Sequence, residues 1–210
     1  AGKALILLAA VTALVGIAGL ALHSLAGFWR FPDALPQAFT LQHWQRALPS
    51  LGGPVATTLV IAVLSTLLAL GLALAALENE QRSGRHPAQG RLASALTLLY
   101  LPLIVPQIAF LFGLVVVMEA LGTRPTRGLV IFGHLLFVLP YVFLSLSEAY
   151  RRFDPRWTRV ALTLGATPNG AFWRVRLPML LAPLLTAMAV GLAVSIGQYL
   201  PTLLLGAGRV

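Results

Sequence analysis

The sequence predicts an all-α membrane protein, a polytopic bundle of transmembrane helices, and two observations carry that prediction. Hydrophobic residues make up 58% of the 210 residues and charged residues only 10%, whereas about a quarter of the residues of a soluble domain are charged. The apolar residues also fall in runs of about 20, the length that a helix needs to cross about 30 Å of hydrocarbon. Helices are expected because they pair their own backbone groups in lipid. We therefore predict one transmembrane domain over residues 1–210.

Five runs qualify as spans, and the first three lie in the N-terminal part of the chain. The first, residues 4–26, is longer than the core of a signal peptide and lacks a clear small-residue cleavage pattern in a polar flank, so we interpret it as a membrane anchor. The second, residues 54–77, follows a segment rich in proline and aromatic residues. The third, residues 95–118, contains Pro102 and Pro106, which can bend a helix.

The last two spans enclose a strongly basic segment. The fourth span, residues 128–150, follows a short loop. The fifth, residues 177–205, is long enough to be bent or broken near Gly197 or Pro201. Between them lies the segment 151–176, which is polar and rich in arginine.

The distribution of basic residues orients the bundle, because lysine and arginine are retained on the cytoplasmic side. With the N-terminus inside, the inner segments hold ten of the 15 basic residues and the outer segments five. The aromatic residues Phe28, Trp29, Phe31 and Trp44 then fall at the outer interface, where such rings are favoured. We therefore predict a cytoplasmic N-terminus. Since the positive charge is spread over loops and forms no continuous face, we expect no nucleic acid partner.

The chain lacks the groups that an enzyme or a one-chain ATP-driven pump would need. It has no cysteine, and its four histidines lie on different segments without metal-ligand spacing. The phosphate-binding loop GxxxxGK[ST] is absent, so any nucleotide must bind elsewhere. None of the six acidic residues falls in the middle of a span, which argues against ion coupling. We expect no catalysis, no metal and no cofactor in this chain.

The segment 159–178 reads RVALTLGATPNGAFWRVRLP, a helical stretch that Gly165 and Pro168 can interrupt, which predicts a compact cytoplasmic element. Composition alone is equally consistent with positively charged anchoring around a turn. The full pattern resembles the EAA loop of permease subunits of binding-protein-dependent ABC importers, EAAxxLGA followed by an aromatic residue and VxLP. The matching residues are Ala161, Leu164, Gly165, Ala166, Phe172, Val175, Leu177 and Pro178.

The resemblance implies a coupling loop, within residues 151–176, that docks a separate ATPase subunit. ATP and Mg²⁺ would bind to that partner. The resemblance also implies a periplasmic or extracellular substrate-binding protein and a second permease domain, identical or different. Membrane lipid is a further expected partner. Arg159 stands where the family has glutamate, so the ATPase must differ there or the contact has been lost. We expect four arginines to offer charge to the partner: Arg156, Arg159, Arg174 and Arg176.

The resemblance extends over all five spans. Residues 57–59 lie where the family has NTL, although the asparagine is missing, and residues 139–141 read LPY as in the family's fourth span. The segment 197–209, GQYLPTLLLGAGR, resembles permeases of thiamine and iron importers. Because the family carries at least one further span, we expect this chain to lack a final span.

Polar side chains inside spans are costly and are therefore candidates for a translocation pathway. Taken singly, each can instead bond a neighbouring helix; as a set they can line a gated pore. The candidates are Gln107, His134, Ser195, Gln198 and Tyr199.

We predict a permease subunit of an ABC importer in a bacterial inner membrane, which forms the substrate pathway and couples to its ATPase through residues 159–178. The alternatives are a channel or facilitator that needs no ATP, and a membrane scaffold that transports nothing. For the substrate, the resemblance suggests thiamine, iron, polyamines or an inorganic anion.

Overall fold

The computed structural model describes residues 2–30, 33, 36–83 and 91–206, without the side chains of residues 91–96. The expectations that rest on Phe31 and on the end of the segment 197–209 therefore lie outside the described residues. The backbone divides into two compact units, residues 1–56 and 57–210. In the described ranges, the regular secondary structure is helical apart from one isolated bridge between Ala26 and Phe39.

The first unit contains a long apolar helix, a loop and the start of a second helix. Helix α1 spans Gly2–Leu25, and none of its residues is buried in the described structure. The loop returns to the end of this helix, because the Gly27 N–H donates to the Ala38 carbonyl and the Thr40 N–H to the Leu25 carbonyl, both at 2.8 Å. Gly27 suits this approach, since a Cβ there would lie 3.2 Å from the Ala38 carbonyl oxygen.

Helix α2 spans Gln42–Ser83 and belongs to both units. Its 42 residues correspond to about 63 Å at 1.5 Å per residue, twice the thickness of the hydrocarbon layer. The predicted second span, residues 54–77, is the central part of this helix. Pro49 and Pro54 lie inside it without ending it.

The remaining helices all belong to the second unit, and three of them have side-chain N-caps. Thr126, Asp154 and Thr167 each accept a backbone N–H of the helix that follows, which satisfies a group the helix itself leaves unpaired. The elements are α3 (Arg91–Ile104), α4 (Gln107–Ala120), α5 (Arg127–Arg151), α6 (Pro155–Thr163), α7 (Pro168–Ala171), a π-helical segment (Phe172–Arg176), α8 (Leu177–Met179), α9 (Leu181–Gly197) and α10 (Leu200–Gly206).

The prediction of an all-α bundle of membrane helices is confirmed. Within the described residues, α1, α2 and α5 are each long and apolar enough to cross a membrane. Two bent helix pairs pass the same test when each pair is taken as one span, which gives up to five. These pairs are α3 with α4, and residues 168–179 with α9.

The predicted third span, residues 95–118, is interrupted in the structure. Helix α3 ends at Ile104, α4 begins at Gln107, and the two are bent by 113°. The break falls at Pro106, which has no N–H to continue the helix and disfavours helical backbone at Val105. The prolines are visible in the sequence, but the hydropathy of an apolar run does not distinguish a straight span from a bent one.

The predicted break in the fifth span near Gly197 is confirmed, since α9 ends at Gly197 and α10 begins at Leu200. A second bend, of 74°, separates residues 168–179 from α9 and was not predicted. It follows from Pro183, which cannot donate to the Met179 carbonyl one turn earlier.

Small residues let the helices of the second unit approach closely. Helix α5 packs along α9 and also against α3 and α10. One close crossing is at Gly191 of α9, where a Cβ would lie 2.7 Å from Thr66 Cγ2 and 2.8 Å from Val142 Cγ2. Close packing of this kind holds membrane helices together, because in lipid the hydrophobic effect does not favour their association. The buried core beside it includes Ala69, Ala73, Leu77, Val138, Val142, Leu146, Leu184 and Ala187.

Candidate functional site

A cavity of about 390 Å³ lies beside two helix breaks of the second unit. The break between α3 and α4 contributes Val105 and Pro106, and the break between α9 and α10 contributes Gln198. Broken membrane helices leave backbone groups that only a cavity, a ligand or neighbouring protein can satisfy, and transporters place substrate sites there. The wall is completed by Pro102, Leu103, Ile104, Gln107, Phe137, Tyr141 and Val194.

The cavity brings together two of the predicted pathway residues, Gln107 and Gln198. Gln107 is the first residue of α4, and Gln198 is the C-cap of α9. The Oε1 atom of Gln198 is buried and has no hydrogen-bond partner among the described residues. Tyr199, the next residue, has a 69% exposed side chain. These positions suit a translocation pathway, and that role stays a prediction.

His134 and Ser195 meet in a set of side chains that we call the polar seam, which consists of the buried Ser65, His134 and Ser195 and the half-buried Thr202. His134 Nδ1 lies 2.9 Å from Ser195 Oγ, and His134 Nε2 lies 3.0 Å from Thr202 Oγ1. Ser195 Oγ is also 3.1 Å from Ser65 Oγ. Because an unpaired polar group in an apolar interior is costly, each group finds a partner on another helix. The seam thereby joins α2, α5, α9 and α10.

The predicted pathway residues therefore occupy two surroundings. Gln107 and Gln198 line the cavity, whereas His134 and Ser195 bond neighbouring helices, which is the alternative that the sequence left open. Sequence reasoning missed Ser65 and Thr202. The signal that could have found them is a hydroxyl placed well inside an apolar run.

We expect Ser195→Ala to lower the free energy of unfolding by about 1 kcal/mol, since it removes the contacts with both Ser65 and His134. Ser147→Ala is the matched control, because the buried Ser147 hydroxyl donates only to the Leu144 carbonyl of its own helix. Denaturant titration of both variants in detergent measures the difference. An equal loss in the two variants would show that the seam does not join the helices.

The basic region between α5 and α9 folds into what we call the α6–α7 element, residues 155–171. Its turn is a Schellman motif: the Gly165 N–H donates to the Leu162 carbonyl and the Ala166 N–H to the Ala161 carbonyl, both at 3.0 Å. Gly165 has a φ of 86°, a left-handed conformation that glycine adopts without strain. The predicted helical stretch ending at Gly165 is confirmed.

Helix α6 presents apolar side chains to its surroundings instead of burying them. None of its nine residues is buried, Trp157 and Val160 are more than half exposed, and Leu164 is 82% exposed. Arg156 and Arg159 are exposed as well, and neither forms an ion pair with a described residue. Exposed apolar groups beside free charges are typical of a surface that binds another protein.

The predicted coupling residues are distributed along this region. Phe172, in the π-helical segment, is half-buried and meets the Trp173 ring edge-on at 5.1 Å. Pro178 lies exposed in α8. The docking role of the whole set stays a prediction. On α6 and its turn, Arg159, Leu164 and Gly165 are exposed, and Ala161 and Ala166 are half-buried.

One arginine of the region faces inward, so the expectation that Arg176 offers its charge to a partner protein was wrong. Arg176 is 6% exposed and forms an ion pair with Glu78 of α2. Tyr150 of α5 donates its hydroxyl to the same carboxylate. The physical reason is that only 14% of the Glu78 side chain is exposed, and a carboxylate so withdrawn from water needs a cationic partner, which Arg176 supplies.

Comparison with known proteins agrees with these features. A family model described as binding-protein-dependent transport system inner membrane component matches residues 91–210. The inner membrane ABC transporter permease protein YnjC of Escherichia coli is 40% identical over 111 residues, 53% of this chain and 22% of that protein. The molybdenum transport system permease protein ModB of Mycobacterium bovis is 31% identical over 135 residues, 58% of this chain and 51% of ModB.

A third relative aligns with more of the chain. The putative 2-aminoethylphosphonate transport system permease protein PhnV of Salmonella typhimurium is 27% identical over 193 residues, 90% of this chain and 70% of PhnV. The chain spans about a fifth of the length of YnjC and about half of ModB. The matched family consists of transport components and not of enzymes. With its apolar helices and this match over more than half its length, the chain is a multi-pass inner-membrane protein and belongs to the family of binding-protein-dependent transport system inner membrane components.

Proposed function

We propose that this protein is the permease subunit of a bacterial ABC importer. It forms the substrate pathway through the membrane and takes its energy from ATP that a separate ATPase subunit hydrolyses. The observation that carries the proposal is the α6–α7 element, an exposed surface on a bundle of broken membrane helices. A channel would have no need of such a surface.

The exposed side of α6 is the proposed docking site for the ATPase. Trp157, Val160 and Leu164 supply apolar contact area, which is what the centre of a protein interface requires. At Gly165 nothing lies within 4 Å of a Cβ position, so a partner backbone can come close. The surface is thus apolar, has a residue without a side chain at its turn, and is positively charged at its edges.

The arginines divide into two groups, and the division indicates the chemistry of the partner. Arg151, Arg152 and Arg176 each pair with a carboxylate of this chain. Arg156, Arg159 and Arg174 are exposed and form no ion pair with a described residue. Complementary charge steers and orients protein association. We infer that the ATPase groove presents carboxylates to these three arginines, and that ATP and Mg²⁺ bind in that subunit.

The cavity at the two helix breaks is the proposed part of the pathway in this chain. A substrate-binding protein would deliver the substrate from outside, and a second permease domain, identical or different, would complete the pathway. ModB and PhnV are named for molybdenum and 2-aminoethylphosphonate. A substrate screen therefore includes molybdate and 2-aminoethylphosphonate beside thiamine and ferric iron.

Affinity purification of the full-length protein from its native membrane tests the proposal. We expect an ATPase subunit to co-purify and the complex to hydrolyse ATP. An oligomer free of ATPase that still admits substrate into vesicles would instead support the channel.

Arg159→Glu is expected to weaken the ATPase association about tenfold, since it sets like charges against each other across the proposed interface. Titration of the purified ATPase against the reconstituted membrane protein measures this. Arg124→Glu is the control, because Arg124 is an exposed arginine of the α4–α5 loop without an ion pair among the described residues. Equal affinities for both variants would contradict an acidic groove; restored binding by a reversed charge in the ATPase would support it.

A further inference from the structure

We infer that Arg176 is a positioning residue that carries movements of the α6–α7 element into helices α2 and α5. The inference rests on the proposed function, because it names the joint through which docking at α6 would reach the membrane helices. It concerns a side chain that faces the bundle and not the partner protein.

The joint connects the α6–α7 element to helices α2 and α5 through Arg176 and Arg82. On the side of the helix bundle, both arginines bond one carboxylate, that of Glu78. Arg176 Nη1 and the Tyr150 hydroxyl both donate to Glu78 Oε2. Arg82 Nε donates to the other oxygen, Oε1, at 2.6 Å. Helices α2 and α5 and the π-helical segment are thus bonded to one group. Charge-assisted hydrogen bonds of this kind are the strong ones.

The other side of the joint reaches both helices of the α6–α7 element. Arg176 Nη2 donates to Thr158 Oγ1 of α6 at 3.2 Å. Arg82 Nη2 donates to Asn169 Oδ1 of α7 at 3.0 Å. Two arginines therefore connect Glu78 to the element, one to each of its helices.

The surroundings hold the Arg176 guanidinium in one place. Its central carbon lies 5.6 Å from the centre of the Tyr150 ring and 5.4 Å from that of Phe153, within the range of cation–π attraction. The planar fork lets one side chain bond α2 and α6 in fixed directions, which the single ammonium of lysine cannot do.

Helix α6 has few other means of acting on the bundle. It buries none of its residues, and it packs against α7 and the π-helical segment. The π-helical segment, which ends in Arg176, is therefore its principal route to the membrane helices. Short π-helical stretches frequently mark functional sites.

The joint also retains an unused donor. Arg176 Nε is buried and has no partner among the described residues. Buried polar groups are nearly always satisfied, so this unpaired N–H is an exception within the joint.

A neighbouring ion pair provides the matched control. Two residues after Glu78 on α2, Glu80 accepts both Arg151 Nε at 2.8 Å and Arg151 Nη2 at 3.1 Å. This pair also joins α2 to α5, but within the described residues it makes no bond to α6 or α7. Glu78→Gln and Glu80→Gln are the same chemical change on the same helix, and only the first affects the joint.

The test uses the full-length protein with its ATPase in proteoliposomes, where ATP hydrolysis and substrate uptake are measured together. We expect Arg176→Met and Glu78→Gln to lower the substrate carried per ATP about tenfold, with the ATPase still bound, and Glu80→Gln to leave it near the wild-type value. Arg176→Lys should restore part of it. If Arg176→Met is not recovered from membranes, Thr158→Val removes only the α6 end of the joint and should give the same loss.

Hydrogen exchange separates this inference from the proposed function. In Arg176→Met, residues 155–163 should exchange faster than in wild type, whereas Glu80→Gln should leave them unchanged. If wild type neither binds an ATPase nor transports, the proposed function fails, and the local exchange still decides whether Arg176 ties α6 to α2. An unchanged ratio of transport to hydrolysis, or exchange that rises equally in both variants, gives Arg176 an ordinary structural role and overturns the inference.

Discussion

Gly165→Arg is expected to abolish ATP-driven uptake by the assembled transporter while the protein remains inserted in the membrane. Gly165 ends α6 with a φ of 86° and lies exposed beside Leu164. A long side chain there would stand in the proposed docking surface and keep the ATPase from reaching α6. ATP hydrolysis would then no longer be coupled to the membrane helices. Uptake of labelled substrate into proteoliposomes that contain the ATPase measures the effect.

Two controls separate bulk from backbone strain. Gly165→Asn keeps a residue that tolerates positive φ and should retain most of the uptake. Gly122→Arg introduces the same side chain at a second positive-φ glycine of the described residues, with a φ of 65°. Gly122 ends α4 in the same bonding pattern, with its N–H on the Glu119 carbonyl at 2.9 Å. Undiminished uptake with Gly165→Arg would contradict the docking surface.

The second large effect is expected from Gly191→Leu, which should destabilise the bundle by 3 kcal/mol or more, about the upper end of what overpacking costs. A Cβ at Gly191 already falls 2.7 Å from Thr66 Cγ2 and 2.8 Å from Val142 Cγ2. Threonine and valine are branched at Cβ and have few alternative rotamers in a helix. The neighbouring side chains therefore cannot move aside, and α9 must separate from α2 and α5.

Thermal unfolding in detergent, followed by circular dichroism, measures this loss. Gly71→Leu is the control, since nothing lies within 4 Å of a Cβ at Gly71 of α2 and leucine favours helix more than glycine does. We expect that variant to be at least as stable as wild type. If Gly191→Leu unfolds at the same temperature as Gly71→Leu, the close crossing of α2, α5 and α9 is wrong.

Much of the helical framework follows from the sequence because hydropathy reports directly on lipid contact. The predicted spans 4–26 and 128–150 correspond within two residues to α1 (Gly2–Leu25) and α5 (Arg127–Arg151). The prolines of the third span were expected to bend the helix, but the complete break between α3 and α4 and its angle of 113° were not predicted. A proline weakens a helix locally, but the angle depends on which neighbours take up the freed backbone groups, and those come from distant parts of the chain.

The candidate sites divide in the same way. The turn at Gly165 was predictable, since its hydrogen bonds join residues five or fewer apart. The bond between Arg176 and Glu78 joins residues 98 apart, and that between Ser65 and Ser195 residues 130 apart. No spacing rule connects such pairs. For that reason the sequence assigned Arg176 to the partner surface and left Ser65 unnoticed.

The central claim is that transport through this protein is driven by ATP hydrolysed in another subunit. Its most direct test is substrate uptake into proteoliposomes that contain the full-length protein and its co-purified ATPase, with ATP or a non-hydrolysable analogue on the ATPase side. We predict uptake that requires hydrolysable ATP and stops when the ATPase is left out. Equal uptake with the analogue, or from the membrane protein alone, would contradict the claim and identify a channel or facilitator.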